Sequence, residues 1–124
     1  MGVSSSRVDS NSASTSSAMA GAKEIVDKAI AENRVMVFSK SYCPFCIKAK
    51  RALESVLPRD KIGVMELEQR SDCAAIQDYL LSITGGRSVP RVFIDGEFIG
   101  GGDETDAMVR SGKMEALLRE KGIL

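Results

Sequence analysis

Val35-Met36-Val37-Phe38 is a continuous apolar run held between Arg34 and Ser39-Lys40. A strand that is apolar at every position has no face to give to water, so it must lie between two covering layers. This run constrains the fold more than any other segment, because helices have to be available for both faces of a sheet. Ahead of it, Ile25, Val26, Ala29 and Ile30 make one helical stripe. After it, Pro44 stands where a helix can begin, and Ile47, Ala49, Ala52, Leu53, Val56 and Leu57 carry the apolar face on to Pro58. Ile62-Gly63-Val64-Met65-Glu66-Leu67 reads as a second strand. Ser71 or Asp72 can cap a helix bearing Ile76, Tyr79, Leu80 and Ile83, closed by Gly85-Gly86. Val92-Phe93-Ile94 and Glu97-Phe98-Ile99 flank Asp95-Gly96, a strong two-residue hairpin signal. Beyond Gly100-Gly101-Gly102, Asp103 can cap closing helices that carry Ala107, Met108 and Val109, then Met114, Leu117 and Leu118.

The predicted class is therefore α/β. Two strands joined through a helix should be parallel with a right-handed crossover, and a terminal hairpin should complete a four-stranded mixed sheet with helices on both faces. Residues 23–124 are expected to form this single domain, a length that suits one core. Residues 1–22 differ: eight are serine, two are charged, and no apolar period recurs, so a disordered tail is expected. Met1-Gly2-Val3-Ser4-Ser5-Ser6 fits the N-myristoylation pattern, and equally fits a Ser-rich start that matches by chance. No apolar h-region marks a secretory signal, and Arg7, the sole basic residue before Lys23, is thin support for a mitochondrial address. No apolar run approaches the roughly 18–20 residues of a membrane span.

Composition narrows the chemistry. The chain has no histidine, which removes Ser-His-Asp and Cys-His nucleophile systems and every imidazole metal site. Its three cysteines are too few for a four-thiolate zinc site. Seventeen basic residues balance seventeen acidic ones, which argues against a nucleic-acid binder. Cysteine itself is left as the reactive group. Cys43-Pro44-Phe45-Cys46 follows the first strand and opens the second helix, and a C-x-x-C on such a turn points to redox chemistry. On a first helical turn, residues i and i+3 lie on one side, so their sulfurs can reach disulfide distance. The first thiol also faces unsatisfied N–H groups and the positive helix end, which favour its thiolate. Pro44 stiffens the turn without removing a needed donor.

Between Asn33 and Leu53 stand Arg34, Lys40, Lys48, Lys50 and Arg51, with no acidic residue. Such a field lowers a thiol pKa and attracts anions. Lys48, Lys50 and Arg51 also fit a solvated helix face, whereas Lys40, three residues before Cys43, is the candidate functional lysine. Cys73 reads either as an oxidisable thiol or as a small half-buried hydrophobe.

Ser39-Lys40-Ser41-Tyr42-Cys43-Pro44-Phe45-Cys46 resembles the active-site segment of a dithiol glutaredoxin. The likeness continues through Ile76-Gln77, Thr84 to Ile94 and Ile99-Gly100-Gly101, and covers about residues 23–124. A thioredoxin would show Trp-Cys-Gly-Pro-Cys, and this chain has no tryptophan. The resemblance implies a thioredoxin fold and a cis Val89-Pro90 loop facing the cysteines. It implies that glutathione is the co-substrate, with Pro90 turning a backbone edge toward it, the N–H and C=O of Val89 pairing to its cysteinyl backbone, and Tyr42 flanking the thiolate. Lys40 and Gln77, helped by Arg87, would take one glutathione carboxylate. The other would sit on the N–H groups of Gly102 and Asp103 after Gly101, with Glu104 receiving the ammonium. The chain departs from the commoner family pattern at Phe45 for Tyr, at Ser88 for Thr, and at Gly102-Asp103-Glu104, where Glu104 lengthens an arm that is usually Asp.

The activity so implied is reduction of protein–glutathione mixed disulfides and protein disulfides, with Cys43 the nucleophile and Cys46 the resolving thiol. Partners would be glutathione, glutathionylated or disulfide-bonded proteins and, indirectly, glutathione reductase, in the service of cell redox homeostasis. No metal and no nucleic acid are expected, the chain should be a cytoplasmic monomer, and a membrane enters only if Gly2 is acylated. The alternative is a redox-sensing or [2Fe–2S] cluster-binding relative. Pro44 opposes the cluster, because a stiff turn leaves it less room.

Overall fold

A computed structural model describes residues 10–124. In chain order the elements are α1 (Ser10–Glu32), β1 (Val35–Ser39), α2 (Pro44–Glu54), a 3-10 turn (Arg59–Lys61), β2 (Gly63–Glu66), α3 (Cys73–Thr84), β3 (Arg91–Ile94), β4 (Glu97–Gly100), α4 (Gly102–Ser111) and α5 (Lys113–Glu120). The strands lie in the order β2-β1-β3-β4. β1 runs parallel to β2 and antiparallel to β3, and β4 is antiparallel to β3. The four-stranded mixed sheet, with β1 and β2 parallel, is the one expected from the order of apolar runs.

All five residues of β1 are buried, and its side chains alternate between two cores. Met36 and Phe38 join Phe93 under α1 and α3, against Val26, Ala29, Ile76, Tyr79 and Leu80. Val35 and Val37 join Val92 and Ile94 on the opposite face, under Ala49 and Leu53 of α2 and Met114 and Leu118 of α5. The apolar run thus has a layer on each side. Tyr79 ties α3 to α1 by donating its hydroxyl to Asp27 at 2.7 Å.

The hairpin turns at Asp95 (φ 50°) and Gly96 (φ 82°), both in the left-handed region that a type I′ turn requires. Asp95 accepts two bonds from the Arg34 guanidinium, at 2.8 and 2.9 Å, and the same guanidinium donates to the carbonyl of Lys121 at 2.6 Å. This one side chain links the end of α1, the hairpin tip and the C-terminal segment.

Three expectations change. The domain boundary expected at Lys23 falls inside a helix, since α1 runs unbroken from Ser10 and Ala22 is buried in the core. Once its C-terminal half is docked, a helix extends more easily than it nucleates. The Gly2 signal lies outside the described residues. Asp72 holds the cap position of α3 but makes no side-chain cap, because its carboxylate is taken by Arg70 at 2.8 and 3.0 Å. The cap of α4 is Gly101, not Asp103, which lies within the first turn.

Candidate active site

Cys43 is the N-cap of α2, with extended backbone (φ −80°, ψ 122°), and Pro44 follows as the first helical residue. The chain reaches this position through a turn in which the Cys43 N–H bonds the Lys40 carbonyl at 3.0 Å. A second clamp holds the same loop, where both the N–H and the hydroxyl of Ser41 bond the Glu68 carboxylate. Cys43 is half-buried and Cys46 fully buried, and both are free thiols. The Cys43 Sγ lies 3.8 Å from the carbonyl of Val89. The Val89–Pro90 peptide is cis, as the resemblance implies.

The two sulfurs have opposite acidities. Burial pushes the Cys43 thiol up, but the N–H and thiol of Cys46, the N–H of Phe45 and the Lys40 ammonium together outweigh it, so the net pKa is lowered. Cys46 is pushed up to about 11, chiefly by burial and further by the neighbouring Cys43, against the N–H of Lys40 that bonds its sulfur at 3.4 Å. One thiol is therefore disposed to be an anion and its neighbour to stay protonated.

Beside Cys43, a cleft of about 640 Å³ runs between the Ser88–Arg91 loop and the start of α4. Val89, Pro90, Gly101, Gly102, Asp103 and Glu104, all expected at a glutathione site, line it. Its α4 end offers first-turn N–H groups, the usual seat for a carboxylate. Glu104 turns one oxygen to the Gly101 N–H at 2.8 Å. Tyr42 and Phe45 stand exposed beside the thiol.

The other expected residues lie outside the cleft lining. Gln77 is buried, its amide donating to the Arg87 carbonyl at 2.8 Å and accepting from the Cys73 thiol at 3.3 Å. Arg87 is paired with Asp78 at 3.1 Å. Lys40 enters none of the ion pairs found among the described residues and remains available as a cation.

The acid-free stretch of sequence is not acid-free in space. Lys48 pairs with Asp103 at 2.9 Å, Lys50 with Glu66 at 2.7 Å and Arg34 with Asp95. Carboxylates from distant segments fold against these cations, so the field at the thiol rests on Lys40 and the helix end. Arg91 and Phe98 are cleft residues that sequence reasoning passed over. The Arg91 guanidinium lies 5.0 Å from the Phe98 ring centre and donates to the Ser88 carbonyl at 2.7 Å. Its signal was a charge at the head of the otherwise apolar strand Arg91-Val92-Phe93-Ile94.

A glutaredoxin family model matches residues 35–99, from the buried strand through the hairpin. The chain belongs to the glutaredoxin family. It is 43% identical over 107 residues to glutaredoxin-C2 of Arabidopsis thaliana, covering 86% of this chain and 91% of that protein. Among solved structures, oxidised glutaredoxin 2 of Chlamydomonas reinhardtii superposes with a TM-score of 0.81 at 56% identity, covering 86% and 98% of the two chains. A buckwheat glutaredoxin–glutathione complex superposes at 0.78 with 38% identity, covering 86% and 94%. The sheet and its helices are thus the thioredoxin fold of this family, and the chain is a glutathione-dependent thiol–disulfide oxidoreductase. The Cys43–Cys46 spacing is that of a dithiol member.

Proposed function

We propose that this glutaredoxin reduces protein–glutathione mixed disulfides with Cys43 as nucleophile, and protein disulfides with Cys46 as the resolving thiol. The observation that carries this reading is the pair of opposed acidities: Cys43 lowered at a helix N-terminus, Cys46 raised and buried three residues on. The Cys43 thiolate attacks the glutathione sulfur of a mixed disulfide, the protein leaves as its thiolate, and a second glutathione releases the first as glutathione disulfide. With a protein disulfide, Cys46 attacks the sulfur of Cys43 and the Cys43–Cys46 bridge forms as the substrate thiol departs. A thiolate is the attacking species in each step, so the lowered acid belongs on the residue that meets substrate.

The tripeptide would lie along the cleft. Val89 offers its backbone edge to the cysteinyl segment in the manner of an added strand. The γ-glutamyl carboxylate takes the Gly102 and Asp103 N–H groups, and Glu104 lies within reach of the ammonium. Lys40 is the free cation for the glycine carboxylate. Gln77 and Arg87, already partnered, shape that end from behind. The buckwheat structure holding glutathione supports the same ligand here.

A coupled assay with glutathione, glutathione reductase and a glutathionylated protein tests the assignment. Cys43→Ser is expected to abolish turnover, whereas Cys46→Ser keeps turnover on the mixed disulfide and loses it on protein disulfides. Activity surviving in Cys43→Ser would overturn the reading.

A further inference from the structure

The resolving step requires a proton to leave Cys46, which is buried and has no solvent of its own. Beneath it the structure leaves two buried oxygens with no hydrogen-bond partner, the hydroxyl of Ser39 and one carboxylate oxygen of Glu66. Such atoms are uncommon in a folded core, and two side by side ask for a reason. Ser39 is the last residue of β1 and Glu66 the last of β2, and the parallel register pairs them directly. Partners in a parallel register point to the same face. Ser39 alternates with Phe38 and so shares the face of Val35 and Val37, which is the face covered by α2. On α2, Cys46 and Lys50 are one turn apart. Lys50 reaches Glu66 at 2.7 Å, and the N–H of Lys40, the residue after Ser39, bonds the Cys46 sulfur at 3.4 Å. The helix thus brings Cys46 to the end of β1, where Ser39 lies, and Lys50 to Glu66, its partner on β2.

We propose that Ser39 and Glu66 are the proton path of Cys46, the Ser39 hydroxyl passing the thiol proton to the Glu66 carboxylate as Cys46 attacks the mixed disulfide on Cys43. The step balances. A bond forms between the Cys46 and Cys43 sulfurs, the Cys43–substrate bond breaks, the pair of electrons leaves on the substrate sulfur, and the proton of Cys46 ends on Glu66. The Glu66 side chain is 35% exposed, so its other oxygen can return the proton to water and thence to the departing thiolate. Lys50 holds the carboxylate in place. A single water between the two orphaned oxygens would complete both and close the relay. Around the Glu66–Lys50 pair the other charges are Glu54 and Arg59, themselves paired at 3.4 Å in the same shallow depression, and the Glu68 carboxylate, which feels Lys50. Around Cys46 they are Cys43 and the ammonium of Lys40, which acts on Cys43.

The proposal rests on Cys46 as the resolving thiol, and the test separates the two. The chain is loaded with glutathione on Cys43, and bridge formation with release of glutathione is followed by acid quench and mass spectrometry across neutral and alkaline pH. With the relay, the wild-type rate should be nearly flat through neutrality. In Glu66→Gln it should fall by about tenfold or more near neutral pH and then climb roughly tenfold per pH unit as hydroxide replaces the lost base. Ser39→Ala, which only removes a buried unpartnered hydroxyl, should show the same steepened profile, and Glu66→Asp should restore part of the flat one. A wild-type rate in Glu66→Gln, or a deficit constant across pH, would overturn the relay while leaving Cys46 its role. Failure of the wild-type chain to form any bridge would overturn both.

Discussion

Cys43 and Cys46 have the same chemistry and differ only in what surrounds them. Cys43 sits where a helix begins, with N–H groups directed at its sulfur, and Cys46 one turn inside, where burial favours the neutral thiol. Lys40 is the one side-chain cation acting on Cys43, and it enters no ion pair among the described residues, whereas Lys48 and Lys50 have acidic partners. Replacing it by Met should therefore move the Cys43 thiol upward. Alkylation by iodoacetamide, followed against pH, should shift its midpoint to higher pH and slow by a few-fold near neutrality. An unchanged profile would mean that the helix end alone sets the acidity. Affinity for glutathione should fall in the same variant, because Lys40 is the cation proposed for its glycine carboxylate.

At the scale of elements, the site is a meeting of two helix N-termini with one loop. α2 supplies the thiol and α4 the N–H groups proposed to seat an anion, and the two are packed so closely that Gly102 has no room for a side chain. A Cβ there would come 2.6 Å from the Phe45 carbonyl oxygen and 3.0 Å from its Cβ. Both neighbours belong to the first turn of α2, so the clash cannot be relieved by a flexible tip. Gly102→Ala should displace the start of α4, cost about 1–3 kcal/mol of stability in denaturant unfolding, and raise the KM for glutathione more than it lowers kcat. The Lys48–Asp103 pair crosses the same junction at 2.9 Å. Both partners are exposed, which makes it a minor contributor to stability.

For the molecule as a whole, the buried thiol makes folding sensitive to alkali. An acid whose pKa is higher in the folded chain keeps its proton there after the unfolded chain has lost it. Cys46 rises from an ordinary 9.0 to about 11, so its effect is absent below about pH 9. Between about 9 and 11 it increasingly favours unfolding, by at most about 3 kcal/mol at the top of that range. Cys43 works in the opposite sense, its lowered pKa adding stability as pH rises toward 9. Tyr79, raised by burial and by Asp27, adds to the alkaline loss. Denaturant midpoints of the reduced chain should fall steadily above about pH 9, and Cys46→Ala should lack most of that fall. If the two curves stay parallel, the thiol is not the group responsible.

Much of this was legible in the sequence because it is local. The apolar β1 run, the Asp95-Gly96 turn, Pro44 at a helix start and the two cysteines one turn apart each express a short-range rule, and together they specify the order of elements, the sheet and the position of the reactive thiol. What depended on tertiary structure is what lies far apart in the chain. The acid-free stretch from Asn33 to Leu53 predicted an open positive field, and folding brought Asp103, Glu66 and Asp95 onto three of its five cations. Gln77, read as a ligand for glutathione, is held by Arg87 and Cys73, and Arg91 joined the cleft through its contact with Phe98. Coulomb and hydrogen-bond energies depend on distance through space. Sequence spacing fixes that distance within a helical turn or a hairpin, and between elements only packing does.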